Sequence, residues 1–133
     1  MNDTMSEWFI FVFGSNCAGM HKSGAAKTAI DKYNAIYGVG VGRQGRSYGI
    51  PTKGFKLEVL TLREIRIGVD TFVAYAEMHP ELDFAVTKIG TGLAGYGNEY
   101  MAPLFLKAGK NCFFDRSWEP FLGKDFNYFE GVL

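Results

Sequence analysis

The sequence predicts an α/β fold in which a sheet lies between helices. Three observations carry that expectation. Short apolar segments of strand length alternate with helix-like segments, in the order strand–helix–strand–helix–strand–helix–strand. Two of the strands, at residues 8–13 and 84–89, break into loops of small residues, and a helix-like segment follows each loop. Glycine is clustered accordingly: 13 of the 17 glycines fall in the windows 14–24, 38–54 and 90–97, a distribution of loops rather than of disorder. In such sheets ligands bind beyond the carboxyl ends of the strands, so both glycine loops are expected at that rim.

The elements follow in order. Residues 1–7 are polar and read as a frayed start. Residues 8–13 (WFIFVF) read as a buried strand that Gly14 stops. Residues 23–35 are helix-like; Ser23 can cap them, and Ala25, Ala26, Ala29 and Ile30 share a face. Residues 37–54 are glycine-dense, with a short strand at 47–50 that ends at Pro51. A one-turn helix is expected at 61–65. An amphipathic helix is expected at 68–79, with Val69, Phe72, Val73 and Ala76 inward and Pro80 just beyond. Residues 84–89 form the next strand. A helix runs from Asn98 or Glu99 to about Ala108, with Pro103 inside or beginning it, and residues 111–114 form the last strand. The tail is aromatic, with Phe113, Phe114, Trp118, Phe121, Phe126, Tyr128 and Phe129. Core cover over a sheet edge is its ordinary role. A pocket lid or a self-association patch is the functional alternative, because so many aromatics seldom stay exposed together.

With 133 residues the chain is expected to be a single domain, with a core at about 8–114 and the aromatic tail at 115–133. A chain of this size needs no staples. Equal numbers of basic and acidic residues, 14 each, argue against the basic stripe that long nucleic acid requires. They leave room for one small anionic ligand. Cys17 and Cys112 have neither disulfide-framework nor metal-site spacing, and no metal or cofactor is expected. Cys17 lies in the first loop and reads as a small packed side chain rather than a reactive thiol. The six-residue run at 8–13 is far short of the ~20 residues that span a bilayer, so a soluble, cytoplasmic protein with no membrane partner is expected.

The first loop reads Gly14-Ser15-Asn16-Cys17-Ala18-Gly19-Met20-His21-Lys22-Ser23-Gly24 and fits neither GxxxxGK[ST] nor GxGxxG. Its length and glycine content exceed what a connection of about two to six residues needs, which points to ligand contact. Asn16, His21 and Lys22 are its polar groups; the plain alternative has Asn16 bonding the loop's own backbone. The helix N-terminus behind the loop adds partial positive charge. His21 can act as an acid or base, having an unperturbed pKa near ~6.5, or donate to a phosphate or carbonyl. A lone loop histidine is more often non-catalytic. His79 closes a helix and reads as structural. The second loop, Gly90-Thr91-Gly92-Leu93-Ala94-Gly95-Tyr96-Gly97, carries no charge, so backbone N–H groups and Thr91 must hold any anion there. Leu93 reads as an anchor or pocket wall. Tyr96 can stack on a ribose or base, or lie in the core. Arg43 and Arg46 read as solvated rather than phosphate-binding. Two such loops together point to a phosphate or diphosphate cradle.

Two motifs stand out. The pattern VFGSN-x-AG-x-H-x-x-GAA is met by Val12 to Asn16, Ala18, Gly19, His21, Gly24, Ala25 and Ala26. The pattern IG-x-G-x-AGY is met by Ile89, Gly90, Gly92, Ala94, Gly95 and Tyr96. Together they resemble the macrodomain superfamily, in particular the short macrodomain-like proteins of bacteria and their phages. The resemblance implies a three-layer fold with a mixed sheet, and binding of ADP-ribose or a related nucleotide diphosphate in the cytoplasm of a bacterium or a phage host. It implies a ligand-contact set of Gly14, Ser15, Asn16, Ala18, Gly19, His21, Lys22, Ser23, Gly24 and Ala25, with Gly90, Thr91, Gly92, Leu93, Ala94, Gly95 and Tyr96. Asn16 would meet the distal ribose, and the loops around 19–25 and 90–96 would wrap the diphosphate. Two alternatives accompany binding. One is hydrolysis of ADP-ribose conjugates, with Asn16 positioning water or ribose and His21 as acid or base; the other is a phage-type sponge for a nucleotide defence signal. The Gly-Asp-Ile segment whose aspartate meets adenine in typical macrodomains has no counterpart here. His21-Lys22-Ser23-Gly24 replaces their triple glycine, so the resemblance does not assign the base.

Overall fold

A computed structural model describes residues 3–133. Six strands build one sheet: β1 (Ile10–Asn16), β2 (Gly42–Gln44), β3 (Ser47–Lys53), β4 (Phe84–Val86), β5 (Cys112–Asp115) and β6 (Asn127–Phe129). Their order is β2-β3-β1-β4-β5-β6. β2 is antiparallel to β3, and the other neighbouring pairs are parallel, so the sheet is mixed. The helices are α1 (Gly24–Lys32), α2 (Leu62–Glu77), α3 (Asn98–Met101) and α4 (Glu119–Leu122), with 3-10 turns at Ala102–Phe105 and Arg116–Trp118.

Alternation along β1 divides the core. Phe11 and Phe13 point to one face and pack with Ala26 and Ala29 of α1 and with Tyr33. Ile10 and Val12 point to the other and pack with Ile65, Val69, Phe72 and Ala76 of α2, with Phe105 and with Trp118. Helices therefore cover both faces, which is why the central strands lack polar residues at alternate positions. Because β1, β3, β4 and β5 are parallel, their carboxyl ends share one rim. The loops after β1 and β4 meet there.

Several boundaries differ from expectation. Gly14 does not stop β1, which runs on to Asn16; a Cβ at Gly14 would meet only ordinary contacts at 3.5 Å. Trp8 lies outside the strand, with the Arg46 guanidinium 5.0 Å from its ring. β3 continues through Pro51 because β2 pairs only with Ser47–Gly49, so the missing N–H faces an unpaired edge. The expected helices at 61–65 and 68–79 are one helix. Thr61 and Glu64 form a capping box at its start. Gly68 lies inside this helix without breaking it; a Cβ there would meet Ile50 Cγ2 at 3.4 Å, an ordinary contact. α1 ends at Lys32, and Ser23 occupies its N-cap without a side-chain bond. β4 ends at Val86, and the helix at Asn98 passes into the 3-10 turn at Pro103.

The tail is not a lid. It supplies α4 and β6, and Phe113, Phe114, Trp118, Tyr128 and Phe129 are buried in the protein's own core. Of the remaining tail aromatics, Phe121 is 38% exposed and Phe126 is half-buried. The start of the chain is tied down as well. Asp3 N donates to Asn127 Oδ1 and Ser6 N to Asp83 Oδ2. Residues 1 and 2 of the expected frayed start lie outside the described residues. Among the described residues no helix is long and apolar enough to cross a membrane.

Candidate functional site

A cleft of about 880 Å³ opens at the carboxyl ends of β3, β1, β4 and β5. That volume is in the range of small-molecule sites. Gly14, Ser15 and Asn16, the last residues of β1, line it centrally. Lys22, Ser23, Gly24 and Ala25 enter from the start of α1, and Gly90, Thr91, Gly92, Leu93 and Ala94 from the loop after β4. The two glycine loops touch across Gly14, whose Cβ position lies 3.5 Å from Gly90 N.

Both loops offer unused donors. Among the described residues the N–H groups of Gly24, Ala25 and Ala26 have no acceptor, as the first turn of a helix dictates. Nor do those of Gly92, Leu93 and Ala94, because the turn closes through Gly95 N to Gly92 O and Tyr96 N to Gly90 O. α1 has no acidic residue in its first turn, so nothing there competes with an anion. Lys22, Lys53 and Lys88 line the cleft, and none of them forms an ion pair among the described residues. Asp115, at the end of β5, is the one acid in the lining among the described residues; its Oδ1 accepts from Ser117 N and Ser117 Oγ. Three lysines against one aspartate make the cleft electropositive.

Five of the expected contact residues are placed elsewhere. His21 is 3% exposed, does not line the cleft, and has its Nε2 2.8 Å from the Val39 carbonyl oxygen. It packs edge-on against Phe13, which holds it behind the loop in the core. Ala18 and Gly19 also lie off the cleft. Gly19 is pressed against the 38–40 segment: its N–H donates to Asn16 O, its carbonyl accepts from Gly38 N, and a Cβ would fall 2.2 Å from Gly38 C. Gly95 closes the second turn from behind. Tyr96 donates its hydroxyl to Leu60 O at 2.6 Å and packs against the α2-side core, so it is not a stacking surface for ligand.

Two residues reach the cleft with part of their chemistry already used. Asn16 donates Nδ2 to Met20 O and accepts at Oδ1 from Met20 N, the local bonding that shapes an Asx-type loop. One Nδ2 hydrogen remains for a ligand. Thr91 donates both its hydroxyl and its backbone N–H to Lys88 O, so neither is left for an anion and the free donors of this loop are those of residues 92–94. Asn16 and His21 therefore do not form a catalytic pair: one is at the cleft, the other behind it. Cys17 does not line the cleft. Its partial burial, then Glu58 and Glu64, push its thiol pKa up, which disfavours a thiolate nucleophile. Ser15 is buried and donates to Gly40 O, fastening the strand end to the same 38–40 segment.

Sequence reasoning missed Thr52 and Lys53 at the end of β3, Leu57 beyond it, Thr87 and Lys88 after β4, and Asp115 at the end of β5. Lys88 carried a signal, lying two residues before Gly90. Lys53 comes beside Asn16 only through the β1–β3 register, which local sequence does not reveal. Leu57 is the more unusual. Residues 53–59 form a hairpin, with Lys53 bridging Val59, Gly54 N bonding Glu58 O and Leu57 N bonding Gly54 O. Leu57 follows that turn at φ 62°, where hairpins of this length usually place glycine. The left-handed conformation costs a leucine about 1–2 kcal/mol. Asn34, also at φ 62°, is a residue type that tolerates the conformation.

Fold and cleft together define an α/β protein with an electropositive, glycine-lined site at the carboxyl rim of its parallel strands. No protein family, no curated protein and no solved structure matches the chain.

Proposed function

We propose that the cleft binds a nucleotide diphosphate of the ADP-ribose type. One observation carries the reading. Two sets of unpaired backbone donors, at the start of α1 and at 92–94, border one cleft with three unpaired lysines. Helix N-termini and glycine nests of this kind hold phosphate oxygens, and the lysines add long-range attraction. Two separate donor sets suit two linked phosphates better than one. The free Nδ2 hydrogen of Asn16 suits a ribose hydroxyl beside them. The arrangement is consistent with the three-layer macrodomain plan that the two motifs resemble, and the small nucleotide would be the principal partner.

Recognition without turnover is the form of this reading that we favour. His21, the acid–base candidate, is enclosed off the cleft with its Nε2 at the Val39 carbonyl, and Asn16, which does line the cleft, carries no acid–base group. A sponge for a nucleotide signal needs the same recognition and no more. Titration calorimetry with ADP-ribose, ADP, NAD and cyclic dinucleotides tests the proposal. One site per chain for at least one of them is expected. Absence of heat with every one at millimolar ligand overturns it.

A further inference from the structure

Leu57 combines two properties that rarely occur together. It lines the cleft while 40% exposed, and it is held in a left-handed conformation at a position where glycine would be free of strain. Core packing does not account for it, because Leu57 belongs to neither buried cluster. The chain uses glycine freely at other left-handed positions, including Gly19, Gly24, Gly90 and Gly95. Strain kept at a cleft, with no structural return, is characteristic of a binding element.

Its location says what it would bind. β3, which leads into the hairpin, and β4, which leads into the second glycine loop, flank β1 on opposite sides. Leu57 and Leu93 therefore reach the cleft from loops that follow strands on either side of β1. Leu93 is 79% exposed. Between them lie the polar floor of β1 and the donors already described. An apolar wall beside an anion cradle fits a molecule whose phosphates are joined to a flat apolar ring.

We propose, on the nucleotide reading above, that Leu57 forms the nucleobase face of the site. The ring of the base lies against its side chain while the phosphates occupy the glycine loops. The left-handed turn is retained because it aims an apolar side chain into the cleft, which glycine could not supply.

The test separates this inference from the reading on which it rests. Leu57→Gly and Leu57→Asn, both compatible with the left-handed turn, are compared with wild type for Tm and for affinity toward ADP and inorganic pyrophosphate. The expected result is a Tm at or above that of wild type. ADP should bind roughly tenfold or more weakly, from loss of a buried leucine contact. Pyrophosphate should bind within about twofold of wild type, since it has no ring to lose. Unchanged ADP affinity overturns the base contact. Equal weakening of ADP and pyrophosphate overturns it too, because Leu57 would then act through the anion cradle. A Tm below wild type in both variants contradicts the claim that the turn is kept for the ligand. Wild-type binding of pyrophosphate with no gain for ADP removes the base face and leaves the cradle. Failure of wild type to bind either, while ADP-ribose or NAD still binds, overturns the base face alone; failure with every one of these ligands removes both proposals.

Discussion

The two glycine-rich loops look alike in sequence, yet Gly19 in the first and Gly92 in the second do different things. In the first, Gly19 is jammed against Gly38 and Val39, and Gly40 across from it would place a Cβ 1.9 Å from Asn16 O. Ser15 and His21 bond the same 38–40 segment. Glycine there permits two stretches of backbone to touch. In the second, Gly92 has nothing within 4 Å of a built Cβ, and it stands beside unpaired N–H groups. Glycine there keeps a surface open. The comparison teaches that a glycine in such a loop can serve an internal joint or an open surface, that one loop can hold both kinds, as Gly19 and Gly24 do in the first, and that only the surroundings decide which.

The largest expected effect lies in the joint. Gly19→Val should destabilise the protein by about 3 kcal/mol or more, combining a left-handed β-branched residue with a backbone clash. Urea unfolding measures it, and a variant as stable as wild type would break the distinction between the loops. Gly92→Val should leave the urea midpoint nearly unchanged and weaken nucleotide diphosphate binding by roughly a hundredfold, the cost of about 2.7 kcal/mol. Its side chain would occupy the space the anion needs. Retained affinity in the folded variant would show that the second loop is not the cradle.

His21→Ala sharpens the same contrast at smaller scale. It should cost roughly 2 kcal/mol of stability, from a lost buried contact and the void it leaves. Ligand affinity should stay within about threefold, because the ring lies behind the loop and not at the cleft. Hydrolysis of an ADP-ribose ester by wild type, lost in this variant, would restore the acid–base role that the sequence alone allowed.

The smallest effect concerns the two longer helices. α2 starts in a capping box far from any ligand, whereas α1 starts uncapped at the cleft. In α2 the bond from Thr61 N, with that from its hydroxyl, holds the Glu64 carboxyl below its ordinary pKa of 4.5. A carboxylate with a lowered pKa stabilises the fold above its ordinary range and ceases to do so as acid protonates it. Glu64→Gln should therefore be slightly less stable than wild type at about pH 7. The difference should close by about pH 2. A gap that persists in acid would mean the charge is not what the box uses.

Much of the fold was legible because burial leaves a local trace. The apolar runs at Ile10–Phe13 and Phe84–Val86 and the spacing of Val69, Phe72 and Ala76 mark their elements directly. What could not be read was set by partners distant in the chain. The expected helices at 61–65 and 68–79 are joined by packing of Ile65 and Val69 into one core, and Asn127–Phe129 became a strand only beside β5. The site divides in the same way. Gly14 to Asn16 and Gly90 to Ala94 announced themselves as loops at strand ends. Lys53, Leu57 and Asp115 reach the cleft by strand register, and the burial of His21 follows from a contact with Val39 that no local pattern encodes.

Paired calorimetric titrations of wild type and Gly92→Val with ADP-ribose test the central claim most directly. The account predicts one binding site per chain in wild type and roughly hundredfold weaker binding in a variant with the same unfolding midpoint. Silence from wild type at millimolar ligand, or equal binding by both proteins, would contradict it.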